Sequence, residues 1–235
     1  MERGRSLAER LNAFIIGFVP IVPSTGPEPR RRAPAGESIR ERNKRQKRER
    51  LLRAARDLFT RKGFEGATAR AICRRAGIGT GTLFLYAKDK RDLLFLVFHE
   101  EARRLWTEAL ARVDDDTRIV DALLVLFGAF LEYYDGHPAL ARDLGEQIFA
   151  GADASSELGA LNAEFLGHVV ALVERAQRRS ELRADRPAAT LAAAFFAHYG
   201  HWVLAWLVTR VVTRAQAEAA LREAFELQVE GLRPR

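Results

Sequence analysis

Thr80, Gly81 and Thr82 stand together in GTGTLFLY, residues 79–86, with Arg70, Arg74 and Arg75 a few positions earlier. Two hydroxyls around a glycine let a backbone come close to a surface and offer it donors and acceptors, while guanidinium groups answer phosphate charge. That chemistry is recognition of a polyanion. Bond-making chemistry is not indicated. His198 and His201 lie three apart, a spacing that suits zinc, but no cysteine or Glu-x-x-His partner accompanies them, so packing or pocket polarity is the better reading. Asp114, Asp115 and Asp116 lack the downstream ligands of a calcium loop and read as a helix cap. No phosphate-binding glycine loop, nucleophile elbow or dinucleotide fingerprint occurs. The expectation is a protein that is not an enzyme, with no cofactor and no metal.

The recognition residues need a frame, and the neighbouring sequence supplies one. Ala69, Ile72, Cys73 and Ala76 repeat at helical spacing, with the three arginines opposite. Thr68 sits where an N-cap belongs, and Gly77 is suited to the left-handed end of a helix. The chain then restarts as a second helix of two turns over GTGTLFLY. Upstream, Leu51, Leu52, Ala55, Leu58 and Phe59 form one face of a helix that stops at Lys62 and Gly63, with Phe64 packing back. Arg45 and Lys47 crowd its beginning, within reach of phosphates at a groove edge. A supporting helix, a glycine turn and a small-residue second helix in basic surroundings follow the plan of a helix-turn-helix.

Beyond it, Asp89 with Asp92 caps a fourth helix running to about 113, followed by helices over 117–134, 138–150, 157–180 and 187–210. Thr213 and Gln216 make a capping box for a last helix to Gly231. No alternating strand pattern occurs, so the class is all-α. The sequence divides into a flexible extension (1–39), a three-helix domain that holds the helix-turn-helix (40–88) and a helical remainder (89–235).

Charge follows the same division. Residues 1–98 carry 23 Lys and Arg against 10 Asp and Glu, a net +13, and the rest carry 15 against 21, a net −6. A polyanion partner for the first part follows from this. The single cysteine, Cys73, excludes an intramolecular disulfide and points to a reducing, cytoplasmic setting, where it serves as a buried small hydrophobe. The apolar run 11–23 is shorter than the ~20 residues that span a bilayer and is broken by Pro20 and Pro23, so no membrane association is expected. Residues 26–38, rich in Pro, Gly and Arg, are expected to be disordered.

Phe59-x-x-x-Gly63-Phe64, Thr68, Ile72, Ala76-Gly77-Ile78, Gly81-Thr82-Leu83-Phe84 and Lys90-x-x-Leu93 together resemble the DNA-binding domain of the TetR family of transcriptional regulators over about residues 45–95. The resemblance implies a homodimer whose N-terminal helices bind a double-stranded operator. It also implies C-terminal helices that dimerise and enclose a small-molecule pocket, with ligand binding releasing the DNA. Carried over, Thr68 caps the second helix at a phosphate. Thr80, Gly81 and Thr82 enter the major groove, Leu83 and Phe84 complete the recognition segment, and Lys90 meets a phosphate. Phe84 stands where the family most often has tyrosine, so Tyr86 is the candidate for the missing hydroxyl. Ala87 replaces a common phenylalanine beneath the recognition helix. No Arg, Asn or Gln is available in that helix for bidentate base reading, so specificity is expected from hydroxyls, thymine methyls and DNA shape, helped by Arg70.

In the second half, residues 187–210 are apolar nearly all round. Ala189, Ala193, Ala197 and Gly200 lie near one stripe with Trp202 and Trp206 beside it, which suits pairing with the last helix and their twofold mates. Trp106, Phe127, Phe130, Tyr134, Phe149, Phe165 and Tyr199 are spread over helices that would surround a pocket, and the scarcity of charge among them suits a lipophilic effector. Two other functions remain open: an activator of the same fold, and a ligand-binding or scaffold protein with a vestigial DNA motif.

Overall fold

The computed structural model describes residues 38–149 and 157–234, and all the regular structure among them is helical. The expectations for the extension 1–37 and for the loop 151–156 lie outside the described residues. Two compact units divide at Val97 and Phe98.

In the first unit, α1 spans Ile39–Gly66. Ser38 and Glu41 close a capping box at its start: the Glu41 amide donates to Ser38 Oγ at 3.2 Å and the Ser38 amide to the Glu41 carboxylate at 3.0 Å. Gly63 interrupts the helix with φ +68°, a conformation glycine reaches without a Cβ clash. The kink turns Phe64 back to stack on Phe59 with ring centroids 6.0 Å apart. α2 (Ala69–Ala76) begins with the Ala71 amide donating to Thr68 Oγ1 at 3.2 Å and ends at Gly77, φ +65°. Leu51, Ala55, Phe59, Ile72 and Cys73 are the buried centre of this unit.

α3 is shorter than the sequence suggests. It covers Thr80–Leu83, a single turn, and the chain continues through residues 84–86 as hydrogen-bonded turns in which the Leu85 and Tyr86 amides donate to the Thr82 and Leu83 carbonyls. Gly79 is the N-cap, where glycine is tolerated, but Gly81 inside the helix weakens it by about 1 kcal/mol relative to alanine, and so short a segment has little propagation to offset that. α4 (Lys90–Leu110) starts in this unit and ends in the next. The Asp92 amide donates to Asp89 Oδ1 at 2.7 Å and the Lys88 amide to Asp92 Oδ2 at 2.9 Å, a reciprocal cap.

The second unit adds α5 (Ile119–Gly136), α6 (Pro138–Phe149), α7 (Glu157–Arg178), α8 (Ala188–Leu207) and α9 (Arg214–Gly231). Its buried centre is aromatic: Phe127 lies 4.5 Å from Tyr199, 5.4 Å from Phe165 and 5.5 Å from Phe225, centroid to centroid. The aspartate run 114–116 does not cap α5. Asp114 instead closes its own turn, accepting from the Thr117 amide at 2.8 Å, and α5 starts two residues later at an Arg118 that gives no side-chain cap. The Ile119 amide donates to Glu181 at 2.9 Å, a carboxylate from the connection after α7. Arg175 of α7 reaches the Asp114 and Thr117 carbonyls at 2.7 and 3.1 Å. The cap thus comes from a segment distant in sequence. The capping box of Thr213 and Gln216 opens α9 as expected, and the Arg183 amide donates to the Leu232 carbonyl at 2.8 Å.

α8 has one buried face, formed by Leu191, Ala192, Phe195, Phe196, Tyr199 and Gly200. Ala197 on its other side is exposed, and Ala189, Ala193, Trp202 and Trp206 are half-buried. No described helix is long and apolar enough to cross a membrane.

Candidate nucleic-acid interface and ligand cavity

Two places gather the residues with recognition chemistry, one in each unit. In the first unit, a surface groove is lined by Ile39, Arg40, Asn43, Lys44 and Lys47 of α1 and by Thr82, Leu85 and Tyr86 of α3 and its following turn. The Tyr86 hydroxyl donates to the Lys44 carbonyl at 3.1 Å and so holds the two walls in register. Thr80 and Gly81 are exposed at the start of α3 and Thr82 is half-buried. A Cβ on Gly81 would meet nothing within 4 Å, so packing inside the protein does not require a glycine there. Phe84 and Leu85 are 61% and 76% exposed, an unusual state for large apolar side chains and one that leaves them facing outward.

The remaining sequence candidates fall in three groups. Arg45 and Lys47 are exposed on α1, Arg45 with its guanidinium 3.9 Å from Glu49. Thr68 and Arg70 are exposed at the head of α2. Leu83 is buried, as is Ala87, so Leu83 anchors α3 to the core and Ala87 closes the space beneath without a larger ring. The Lys90 ammonium donates to the Phe64 carbonyl at 2.8 Å and stands 4.1 Å above the Phe64 ring, which ties the start of α4 to the kink at Gly63. Arg40, Asn43 and Lys44 were missed. Lys44, Asn43 and Arg40 lie three, four and seven residues before Lys47, which places them on one helical face, and that periodicity was the available signal.

In the second unit, α5, α6, α7 and α8 surround a cavity of about 80 Å³. It is a narrow space. Phe130, Tyr134, Phe165 and Tyr199 line it together with Phe98 and Phe196. Trp106 and Phe127 do not. Phe127 is fully buried in the aromatic core, and Trp106 packs against His168 with centroids 5.1 Å apart. Phe149 ends α6, and its side chain lies outside the described residues. Phe196, Gly200, Val203 and Leu207 extend the face that Tyr199 begins, again at spacings of three and four.

The cavity is uncharged among the described residues: Asn162 and the hydroxyls of Tyr134 and Tyr199 are its polar side-chain groups. The Tyr199 hydroxyl donates to that of Tyr134 across 3.5 Å. Burial pushes the Tyr134 phenol up to about 12, opposed by that hydrogen bond, and burial likewise raises Tyr199 well above its ordinary value. Both stay neutral and act as donors. Close by in sequence, burial would raise the Glu164 carboxyl, but hydrogen bonds from His99 (2.9 Å) and Arg103 (3.1 Å) outweigh it and hold the group below the usual range. The histidine pair on α8 is split, with His198 half-buried against Phe225 and His201 exposed beside Trp202. Among the described residues no three metal-ligating side chains converge.

Comparison with known proteins gives these two places a context. Residues 51–97 match the bacterial regulatory proteins of the tetR family. An HTH-type transcriptional regulator of Mycobacterium tuberculosis is 31% identical over 93 residues, 40% of this chain and 46% of the relative, so the chain spans about half the length of the curated relatives it matches. Among solved structures, a TetR transcriptional regulator from Rhodococcus sp. RHA1 superposes with a TM-score of 0.63 at 20% identity, covering 81% of this chain and 99% of that one. Thermus thermophilus FadR, a TetR-family repressor in complex with lauroyl-CoA, gives 0.59 at 22% identity, over 80% of this chain and 96% of its own. The fold is that of an N-terminal helix-turn-helix domain followed by a helical C-terminal domain.

Proposed function

We propose that this chain, whose residues 51–97 match the bacterial regulatory proteins of the tetR family, is a ligand-released repressor that binds a palindromic operator as a homodimer. The observation that supports it most is the groove of the first unit. Thr82, Leu85 and Tyr86 share one concave surface with Arg40, Lys44 and Lys47 of α1, and Thr80 and Gly81 are exposed just ahead of it in sequence, in a part of the chain whose net charge is +13. Thr80, Gly81 and Thr82 read the major groove, and Thr68, Arg40, Lys44, Arg45 and Lys47 hold phosphates. Arg70, Phe84 and Tyr86 flank the contact.

Dimerisation uses α8 and α9. Trp202 remains half-buried, Ala197 is exposed, and Leu227 of α9 is 62% exposed within one chain, the pattern of a face that a second copy covers. The cavity of the second unit takes a lipophilic effector, and no catalysis is involved. Residues 40–88 bind DNA and residues 89–235 bind ligand and dimerise, with α4 passing from one to the other. Occupation of the cavity shifts α4 and changes the spacing of the two recognition segments, which weakens both half-site contacts together. The protein works in the cytoplasm, where its DNA and its reduced Cys73 belong.

Fluorescence anisotropy with duplexes flanking the gene, across a salt series, tests this. Nanomolar binding that is competed by the same palindrome but not by random duplex, with a steep salt slope, is the expected outcome. Uniform weak binding to every duplex would remove the operator reading and leave the cavity as the seat of function.

A further inference from the structure

The cavity has a neighbour. An open groove on the same unit is lined by Tyr134, Asp135, Pro138, Arg142, Trp206, Leu207, Arg210, Val212, Thr213 and Arg214, and it shares Tyr134 and Leu207 with the apolar cavity. The charges around this groove do not cancel. Arg214 is held by Asp135 and Glu218, each at 2.9 Å, so those three groups satisfy one another. Arg142 and Arg210 make no ion pair or side-chain hydrogen bond among the described residues, and both are exposed.

The backbone at Arg210 adds an independent sign. Arg210 adopts φ +55°, the left-handed region, just past α8. The Thr209 amide donates to the Leu204 carbonyl and the Val211 amide to the Ala205 carbonyl, closing the end of the helix around it. Glycine is the residue that takes such a position at least cost. An arginine there carries a conformational cost that glycine would not, while its side chain stands at the groove.

We propose that cavity and groove form one two-part site for an amphiphilic anion, with an acyl chain in the apolar cavity and its anionic head between Arg142 and Arg210. It rests on the reading of the cavity as the effector site. The interior offers two hydroxyls and the Asn162 amide but no cation among its described lining, so a carboxylate or phosphate placed inside would be desolvated without a counter-charge. Outside, two unpaired guanidinium groups present the planar donor sets that suit carboxylate and phosphate oxygens. Tyr134, in the wall common to both parts, places a neutral donor where the chain meets the head, within reach of an acyl carbonyl. The anionic head has two chemical sources: a free carboxylate, or the phosphates of a coenzyme A thioester.

Isothermal titration of the full chain with dodecanoate, dodecanoyl-CoA, coenzyme A alone and methyl dodecanoate separates the possibilities. At least one of the two anions is expected to bind about 10-fold more tightly than the neutral ester, and coenzyme A alone to bind weakly. Which anion gains identifies the source of the head. The double variant Arg142→Ala, Arg210→Gly removes the guanidinium groups and relaxes the backbone, so it is expected to fold, to lose the anion's advantage and to keep its affinity for methyl dodecanoate. Tyr134→Phe is expected to weaken acyl probes about 3- to 10-fold. A methyl ester that binds as tightly as either anion, or an anion preference that survives the double variant, would overturn the head-group assignment while leaving the cavity as the site. Leu204→Trp fills the cavity, and unchanged binding of every probe to that variant would overturn the cavity reading itself.

Discussion

The two units build their recognition surfaces by opposite means. In the first, the parts that matter lie within about fifty residues and are set by local devices: a threonine cap, a glycine in the left-handed region and a one-turn helix. In the second, four helices and the connection after α7 must come together before either the cavity or the start of α5 exists. Local devices are legible in a sequence and fail one at a time. An assembled site depends on its whole core, so a single lost contact spreads through it.

The largest expected effects test whether the two units fail separately. Phe59→Ala and Phe127→Ala each remove a fully buried ring, and each is expected to cost about 3–5 kcal/mol in chemical denaturation. Phe59→Ala should abolish duplex binding while binding of acyl probes survives, whereas Phe127→Ala should abolish binding of acyl probes and weaken duplex binding only as far as the dimer is lost. Loss of both activities in both variants would show that the units melt together.

Next in size is a contrast inside the helix-turn-helix. Gly77→Val forces a β-branched residue to φ +65° and should lower stability by about 1–2 kcal/mol. Gly81→Ala meets open space, so stability should hold or rise by about 0.5–1 kcal/mol in thermal melts. Duplex affinity should nevertheless fall for Gly81→Ala, and an unchanged affinity would remove Gly81 from the interface.

A smaller pair compares caps. Thr68→Ala removes a cap three residues from its partner amide, and Glu181→Ala removes one drawn from 62 residues away; each should cost about 1 kcal/mol. Hydrogen exchange tells them apart. Thr68→Ala should speed exchange at the start of α2 alone, whereas Glu181→Ala should speed it both at Ile119 and in the connection after α7.

The smallest effect is pH dependence, and it belongs to the second unit, since all five histidines follow residue 98. Burial lowers His168, opposed by the Glu164 charge, and burial lowers His198, aided by the His201 charge. The unfolded chain therefore takes up protons near pH 6.5 while these folded histidines still resist them. Their contribution is complete above that pH and declines as the pH falls through it. Denaturation of the second unit at pH 7.5 and 5.5 should show a loss that His168→Phe reduces, with the first unit unaffected.

The helix-turn-helix could be read from Thr68, the Ile72–Cys73–Ala76 face and Gly77 because caps and helical periodicity act over three or four residues. The same reading overextended α3, where an interior glycine and a short segment defeat the apolar pattern that follows. It also assigned the cap of α5 to the aspartates at 114–116, the nearest carboxylates in sequence, when the structure draws it from Glu181. For the cavity, Phe130, Tyr134, Phe165 and Tyr199 were named with Phe127 and Trp106 because an aromatic on an apolar face carries no mark of whether it faces a void or a neighbouring ring. Phe127 and Phe130 each meet three other rings, yet Phe130 also borders the cavity, a difference made by helices that the chain reaches much later.

By itself, the sequence determined the all-α class, the helix-turn-helix and the concentration of positive charge before residue 99, because each follows from residue type, short-range spacing or a sum. The tertiary structure decided which wall of α1 shares a groove with Tyr86, which aromatic rings bound the cavity, and where Arg142 and Arg210 stand beside it. Those are distances between residues tens of positions apart, and they become fixed only when side chains from several helices compete for the same volume.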